Sequence, residues 1–452
     1  MLENKLIRKL IFYTLDKTIK FKFYNLDNNT KKIAEDKYLI TSSVLKAIDK
    51  QYNQGISKGC KDKLENIFIK KQFLRVIKKR KLPYQDYQIG FLTVSPTNIC
   101  DLSCKDCYAG FIKNKQTLPF SILIRIWEDI KNIFKTNFMV ISGGEPTLYE
   151  YEEKGKKYVL EDLLEKNQDI YHLMYTNGRR IAEDFSFVKR ISELGNLTPA
   201  ISIEGFEEKT DLRRGKGMYK KIIKAMDNLR KEGIPFGISL TMNKYNIEEL
   251  LSDEFIKEMF DKRGAVYAWS FHYMPIGKNP SFDLLITPEQ RLWSFKRIRE
   301  LLKQGYFIAD FWDLGTVAGC MASGGDGGSY GYIDWTGNIY SCVFMPDQDK
   351  DETKNNVYNL YKNEYNLKDA FDTVLHKKIR EIKATQKNKC NLCLPCTIRD
   401  RSNIYSEIIE KYGKYDSPTK EYREKIIKTG LMEKYNKECE KLFSKIWEEY
   451  LK

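Results

Sequence analysis

The order of apolar segments along this chain predicts an α/β protein built on a parallel barrel or partial barrel, flanked by a helical extension before it and a thiol-rich region after it. Three observations carry that reading. Six short apolar runs alternate with five helix-length segments. The chemically distinctive residues fall just after those runs, where loops of a parallel barrel converge on one face. At 452 residues and 42% hydrophobic content the chain can also bury a large core.

Residues 1–88 read as a basic, mainly helical extension. Pro83 and the polar residues Tyr84, Gln85 and Asp86 mark its end. Residues 1–90 hold 21 Lys and Arg against 9 Asp and Glu, so most of the net charge of +15 sits there. From Lys5 to Lys20, Ile7, Ile11, Leu15 and Ile19 recur at helical spacing, with Lys5, Arg8, Lys9, Lys17 and Lys20 available to flank them. Such a stripe packs against the body of a protein or lies on an anionic membrane surface. Nothing in the extension resembles a base-reading motif, so nucleic acid is not an expected partner. No run reaches the roughly 20 apolar residues that span a bilayer, and no secretion signal is evident. A cytoplasmic, reducing setting, with peripheral membrane association as an option, is therefore expected.

The alternating region occupies residues 89–308. Strands are expected at 91–95, 138–142, 170–175, 199–203, 236–241 and 267–273, and helices at 118–135, 158–167, 183–194, 217–232 and 247–262. A thiol-bearing domain follows at 309–405, and charged helices at 406–452 close the chain.

After the first expected strand, Cys100, Cys104 and Cys107 lie in one eight-residue stretch with C-x3-C-x2-C spacing. Three thiolates hold three corners of a cubane iron–sulfur cluster and leave one iron open. Zinc is the competing ligand, because cysteines two apart are common in closed zinc sites, but a fourth ligand is not evident nearby. After the second strand comes Gly143-Gly144-Glu145-Pro146. With this motif added to the thiol spacing, the chain resembles the radical S-adenosylmethionine (SAM) enzymes over residues 90–400.

The resemblance implies a partial (β/α)6 TIM-like barrel, with Cys100, Cys104 and Cys107 holding a 4Fe–4S cluster whose open iron takes the amine and carboxylate of SAM. Reductive cleavage of SAM would then yield a 5′-deoxyadenosyl radical that abstracts hydrogen from an unactivated carbon. The resemblance places Tyr108 near the adenine and Gly143 and Gly144 against the ligand, with Glu145 or its carbonyl receiving the methionyl ammonium. Ser202 and Glu204, in Ser-Ile-Glu-Gly, are expected at the ribose or methionyl portion. Arg213, or Arg214 beside it, would pair with the carboxylate, and Asn243 would sit by the adenine.

Beyond the barrel, Cys320, Cys342, Cys390, Cys393 and Cys396 resemble the twitch and SPASM extensions of the same family. Cys342 is expected on a hairpin turning at Asp334–Asn338. Five thiols suit one auxiliary 4Fe–4S cluster with one to spare, while zinc or inert thiols are the alternatives. Cys60 and Cys439 have no ligand spacing. Gly324 to Gly328 lacks the Gly-Lys-Ser or Gly-Lys-Thr of a phosphate loop.

His272 and Tyr273, ending the sixth strand, are the candidates for proton transfer or substrate positioning. Asp310, Trp312 and Asp313 could line the substrate side. His172 and His376 read as structural or surface residues. The expected function is radical SAM modification of a peptide, supplied by a reducing electron donor. Modification or coupling of a lipid chain is the alternative enzyme reading, and a catalytically inactive, metal-stapled interaction module is the non-enzymatic one.

Overall fold

The computed structural model describes residues 2–26, 30–74, 89–109, 114–277, 280–312, 315–324, 329–389, 391–414 and 419–452. Pro83 and its neighbours, Asp313, Cys390 and residues 325–328 lie outside them.

All six expected strands form, as β1 (Ile89–Val94), β2 (Phe138–Ile141), β5 (Tyr171–Thr176), β6 (Leu197–Ile203), β7 (Gly237–Met242) and β8 (Tyr267–His272). Between them, β3 (Glu150–Glu153) and β4 (Lys156–Val159) make a separate two-stranded hairpin. Both of its turn residues, Lys154 and Gly155, take positive φ, the backbone of a type I′ turn. Three further strands, β9 (Ile308–Asp310), β10 (Ser329–Ile333) and β11 (Ile339–Tyr340), complete the main sheet. Its order is β11-β10-β1-β2-β5-β6-β7-β8-β9, parallel except for the β10–β11 pair.

The end strands of this sheet are β9 and β11, so the barrel is partial. The expected hairpin before Cys342 is present as β10–β11. Its first strand also extends the barrel sheet, with Tyr332 in register with Thr93.

Helix faces follow the apolar spacing. The helix Phe120–Asn132 buries Leu123, Ile126, Trp127 and Ile130, and Met218–Lys231 buries Ile222, Ala225, Met226 and Leu229. The expected helix 183–194 forms as Phe185–Leu194 with a short helix added before it, and the expected helix 247–262 is broken. Asp184 ends Arg179–Glu183 and caps Phe185–Leu194, its carboxylate accepting from Phe187 N at 3.1 Å. Ser252 restarts the chain after Ile247–Leu250 in the same way, accepting from Phe255 N.

The extension folds as α1 (Lys5–Phe21) on α2 (Lys31–Gln54). Along the expected stripe, burial increases toward the C-terminal end: Ile19 is fully buried, Ile11 and Leu15 half-buried, and Ile7 exposed. Arg8 is not a flanking cation but a buried anchor. It faces α2, donating from Nε to Asp49 at 2.6 Å and from Nη2 to Asn53 at 2.7 Å. Asp36 of α2 then ties three distant segments together, accepting from Arg299, Thr316 and Tyr450. No described helix is long and apolar enough to cross a membrane.

Candidate active site at the barrel mouth

The loop after β1 carries the three thiols and is held from several sides. Asn177 Nδ2 donates to Asp101 Oδ1 at 2.7 Å, and Arg213 O accepts from Lys105 N at 3.1 Å. Thr97 O and Ile99 O accept from the backbones of Gly144 and Glu145. The ends of β1, β2 and β10 are linked by hydroxyls, with Ser95 Oγ 3.1 Å from Ser142 Oγ and 3.0 Å from Tyr332 OH.

Cys100, Cys104 and Cys107 open onto one cavity, whose wall also includes Tyr108, Gly143, Gly144, Ser202, Arg213 and Arg214. Separate sequence motifs therefore become one site. Three residues expected beside the ligand, Glu145, Glu204 and Asn243, do not form this wall. The side chain of Glu145 accepts from Thr147 N, Thr147 Oγ1, Thr176 Oγ1 and Asn177 N, bracing the loop after β2 against the end of β5. Asn243 instead caps its own turn, accepting from Tyr245 N at 2.8 Å.

Glu204 Oε1 accepts from Arg213 Nη1 at 2.5 Å and from Arg214 Nη2 at 2.6 Å. Burial pushes this carboxyl up, but the two guanidinium groups outweigh it and hold it below its usual value. Glu204 thus aims two cations at the cavity rather than lining it.

The two glycines are required chiefly by packing. A Cβ on Gly143 would lie 2.5 Å from Thr97 O, and one on Gly144 would lie 2.4 Å from both Asn98 O and Ile99 O. The loop after β2 is pressed against the thiol loop itself, which only residues without a Cβ allow.

Burial pushes the Cys100 thiol up to about 12. Burial also raises Cys104, with Arg214 and Arg213 opposing it. A thiolate here would therefore draw its stabilisation mainly from the group it binds, with Arg214 and Arg213 as secondary support at Cys104. Among the described residues no three His, Cys, Asp or Glu converge on the position of a single metal ion. A cubane with one open iron takes three protein thiolates, the number that opens onto this cavity.

At the end of β8, His272 Nδ1 lies 2.8 Å from Arg399 Nη1, and its Nε2 lies 3.5 Å from Asp310 Oδ2. Burial, with Arg399 and Arg291 beside it, holds this imidazole well below its usual pKa, and Nδ1 accepts because guanidinium only donates. The Tyr273 hydroxyl accepts from Ser281 N at 3.0 Å. Both residues line the cavity onto which the three thiols open.

In the thiol-rich region, Cys342, Cys393 and Cys396 are buried in one apolar core with Trp312, Tyr330 and Phe344, and Cys320 packs against it. Tyr330 OH and Cys342 Sγ are 2.6 Å apart, and Thr397 Oγ1 donates to Cys320 Sγ at 3.5 Å. Cys60 is buried on the far side, beside Ser192 O. The other two histidines are structural: His376, buried rather than on the surface, contacts Ser323, and His172 contacts Trp127. Sequence reading did not reveal that Arg291 and Arg399 converge on Asp400 beneath the rim. Partners 109 residues apart leave no local pattern.

Residues 94–254 match the family described as the Radical SAM superfamily. The Fe-coproporphyrin III synthase of Methanosarcina barkeri (strain Fusaro / DSM 804) is 29% identical over 34% of this chain and 37% of its own length. The mycofactocin maturase MftC of Mycolicibacterium smegmatis is 26% identical over 56% of this chain and 64% of its own. The chain thus spans less than two thirds of either relative.

Among solved structures, Streptococcus suis SuiB bound to S-adenosylmethionine superposes with a TM-score of 0.53 at 19% identity, over 74% of this chain and 77% of that one. SuiB bound to precursor peptide SuiA gives 0.54 at 17%, over 74% and 76%. The partial barrel and the region after it therefore share that fold, and residues 94–254 are a radical SAM domain.

Proposed function

We propose that this protein is a radical SAM enzyme that modifies a peptide. The observation that carries this is the single cavity onto which Cys100, Cys104 and Cys107, the Gly143–Gly144 loop and the Glu204-held Arg213 and Arg214 all open. The thiols would hold a 4Fe–4S cluster, which when bound supplies the electron that cleaves SAM to a hydrogen-abstracting radical. The chain's own residues do the rest. Arg213 or Arg214 offers a guanidinium fork to the SAM carboxylate, Ser202 a hydroxyl and Tyr108 an aromatic face.

A peptide substrate is supported by the SuiB complex with its precursor peptide and by the likeness to a maturase. A lipid chain is the second reading, favoured by the uncharged aromatic wall of Phe91, Phe138, Trp269, Phe271 and Phe344. We propose further that Cys320, Cys342, Cys393 and Cys396, with Cys390 as a fifth candidate, hold one auxiliary 4Fe–4S cluster.

Anaerobic reconstitution followed by reduction tests both readings. Formation of 5′-deoxyadenosine, lost in Cys107→Ala, supports the enzyme. Its repeated absence from protein with an intact cluster would favour an inactive module. Cys393→Ala should lower iron content while sparing the barrel cluster. Deuterium carried from labelled peptide or lipid into 5′-deoxyadenosine distinguishes the substrates.

A further inference from the structure

Helix α1 has two faces, and the fold uses one of them. Arg8 and Ile19 are buried against α2. On the far side Leu6 is 79% exposed, Leu10 67%, Tyr13 62% and Phe21 57%. Successive helical residues turn by about 100°, which puts these four on one arc of about 80°. With Ile7 and Tyr24, this short stretch holds six of the fifteen large apolar side chains that stand exposed among the described residues. Scattered apolar side chains mean little, but a contiguous stripe marks a binding surface.

The charges around the stripe identify what covers it. Lys5, Lys9 and Lys20 run along one edge and Lys17 falls within the arc, all of them exposed. None of the four makes an ion pair among the described residues. The one carboxylate of the helix, Asp16, is half-buried and accepts from Tyr38 OH at 2.9 Å. On the other edge the Thr14 and Thr18 hydroxyls donate back to Leu10 O and Thr14 O, so their polar atoms are engaged. The outward face is therefore apolar and cationic.

A protein partner fits this face poorly, because the centres of protein interfaces are depleted in lysine. A second copy of the chain would set the same lysines against each other across a two-fold axis. Residues 75–88 have the same sign, with Arg75, Lys78, Lys79, Arg80 and Lys81 against Asp86 alone. A lipid surface accepts the arrangement. A lysine stem lies along apolar groups while its ammonium reaches the headgroups, and an amphipathic basic helix sits in that boundary.

We propose that the outer face of α1 docks this protein on an anionic lipid bilayer. Leu6, Leu10, Tyr13 and Phe21 enter the interface, and Lys5, Lys9, Lys17 and Lys20 meet the phosphate headgroups. The 17-residue helix lies flat on the surface while α2 holds it to the rest of the molecule. This face belongs to the extension and not to the barrel cavity, so the proposal stands apart from the choice of substrate.

Flotation of the full-length protein with lipid vesicles tests it. Binding to phosphatidylcholine vesicles containing one-third phosphatidylglycerol should be about tenfold tighter than to phosphatidylcholine alone, and should weaken at high salt. Leu6→Ser combined with Leu10→Ser should weaken it about thirtyfold, and Lys9→Gln combined with Lys17→Gln about tenfold. All four side chains are exposed, so thermal stability and iron content should stay at the parent level. Lys220→Gln combined with Lys262→Gln removes the same charge from exposed positions on the barrel, and should change binding by less than about twofold.

No binding to the anionic vesicles, equal binding to neutral ones, equal losses from the two lysine pairs, or full binding by the leucine variant would each overturn the proposal. A dimer seen by light scattering and broken by the leucine variant, without vesicle binding, would assign the face to a second copy instead. Vesicle binding needs neither SAM nor cluster. Protein that cleaves SAM but ignores anionic vesicles keeps the enzyme and loses the docking face, and the converse result keeps the face and loses the enzyme.

Discussion

Arg399 Nη1 lies 2.8 Å from His272 Nδ1, joining the segment just after Cys396 to the tip of β8. The same guanidinium stands over the Trp312 ring at 4.5 Å, and its Nε reaches Asp400, which Arg291 also holds. All of these charges are fully buried, so removing one strands the others. Arg399→Met should lower stability by about 3 kcal/mol, read by urea denaturation. His272→Gln, which keeps an acceptor for Arg399, should cost about 1 kcal/mol. Equal losses in the two variants would contradict the pairing.

The close approach of Gly144 to Asn98 O and Ile99 O makes it the least replaceable position in the loop after β2. Both contacts are backbone, and neither can move without shifting Cys100. Gly144→Ala is expected to fold, because the clash is confined to the mouth, but to bind less than half the iron of the parent protein after reconstitution. Iron analysis beside circular dichroism checks this.

Glu204 holds Arg213 and Arg214 without lining the cavity itself. Glu204→Gln removes the charge that aims them, so the KM for SAM should rise about tenfold while kcat changes less. Glu204→Asp, which keeps the charge at shorter reach, should recover part of the loss. A kcat effect larger than the KM effect would place Glu204 in the chemistry instead.

His172 supplies a pH dependence of stability. Its Nε2 accepts from Trp127 Nε1 at 2.9 Å and its Nδ1 donates to Asn196 O at 3.1 Å, so both nitrogens are committed in the neutral ring. Burial lowers its pKa from 6.5 to about 4. Between those values the unfolded chain binds the proton and the folded chain does not, so stability rises with pH across the window and falls on acidification. The difference amounts to about 3 kcal/mol between pH 7 and pH 4. Melting temperatures against pH should show this slope flattened in His172→Gln.

The six parallel strands and the thiol, glycine and Ser-Ile-Glu-Gly motifs were legible because each depends on residues near one another in sequence. A run such as Leu197–Ile203, buried along nearly its whole length, is mostly apolar, with Thr198 and Ser202 as its polar members. What was hidden depends on partners far along the chain. β10 follows β1 by more than two hundred residues yet pairs with it, and nothing local in Ser329–Ile333 distinguishes an added barrel strand from an isolated hairpin arm. Likewise Arg8 and Lys9 are adjacent cations, and only the direction of α2 decides that Arg8 is buried and Lys9 exposed.

By itself the sequence determined the alternation that makes the barrel, and the spacing that places three thiols on one loop, because periodicity and motif spacing are properties of short segments. Only the tertiary structure decided which residues form the cavity wall. It placed Glu145, Glu204 and Asn243 behind that wall and brought Arg399 to His272. Those choices follow from how sheet, extension and thiol-rich region pack together, and packing is settled by contacts between segments that no local pattern records.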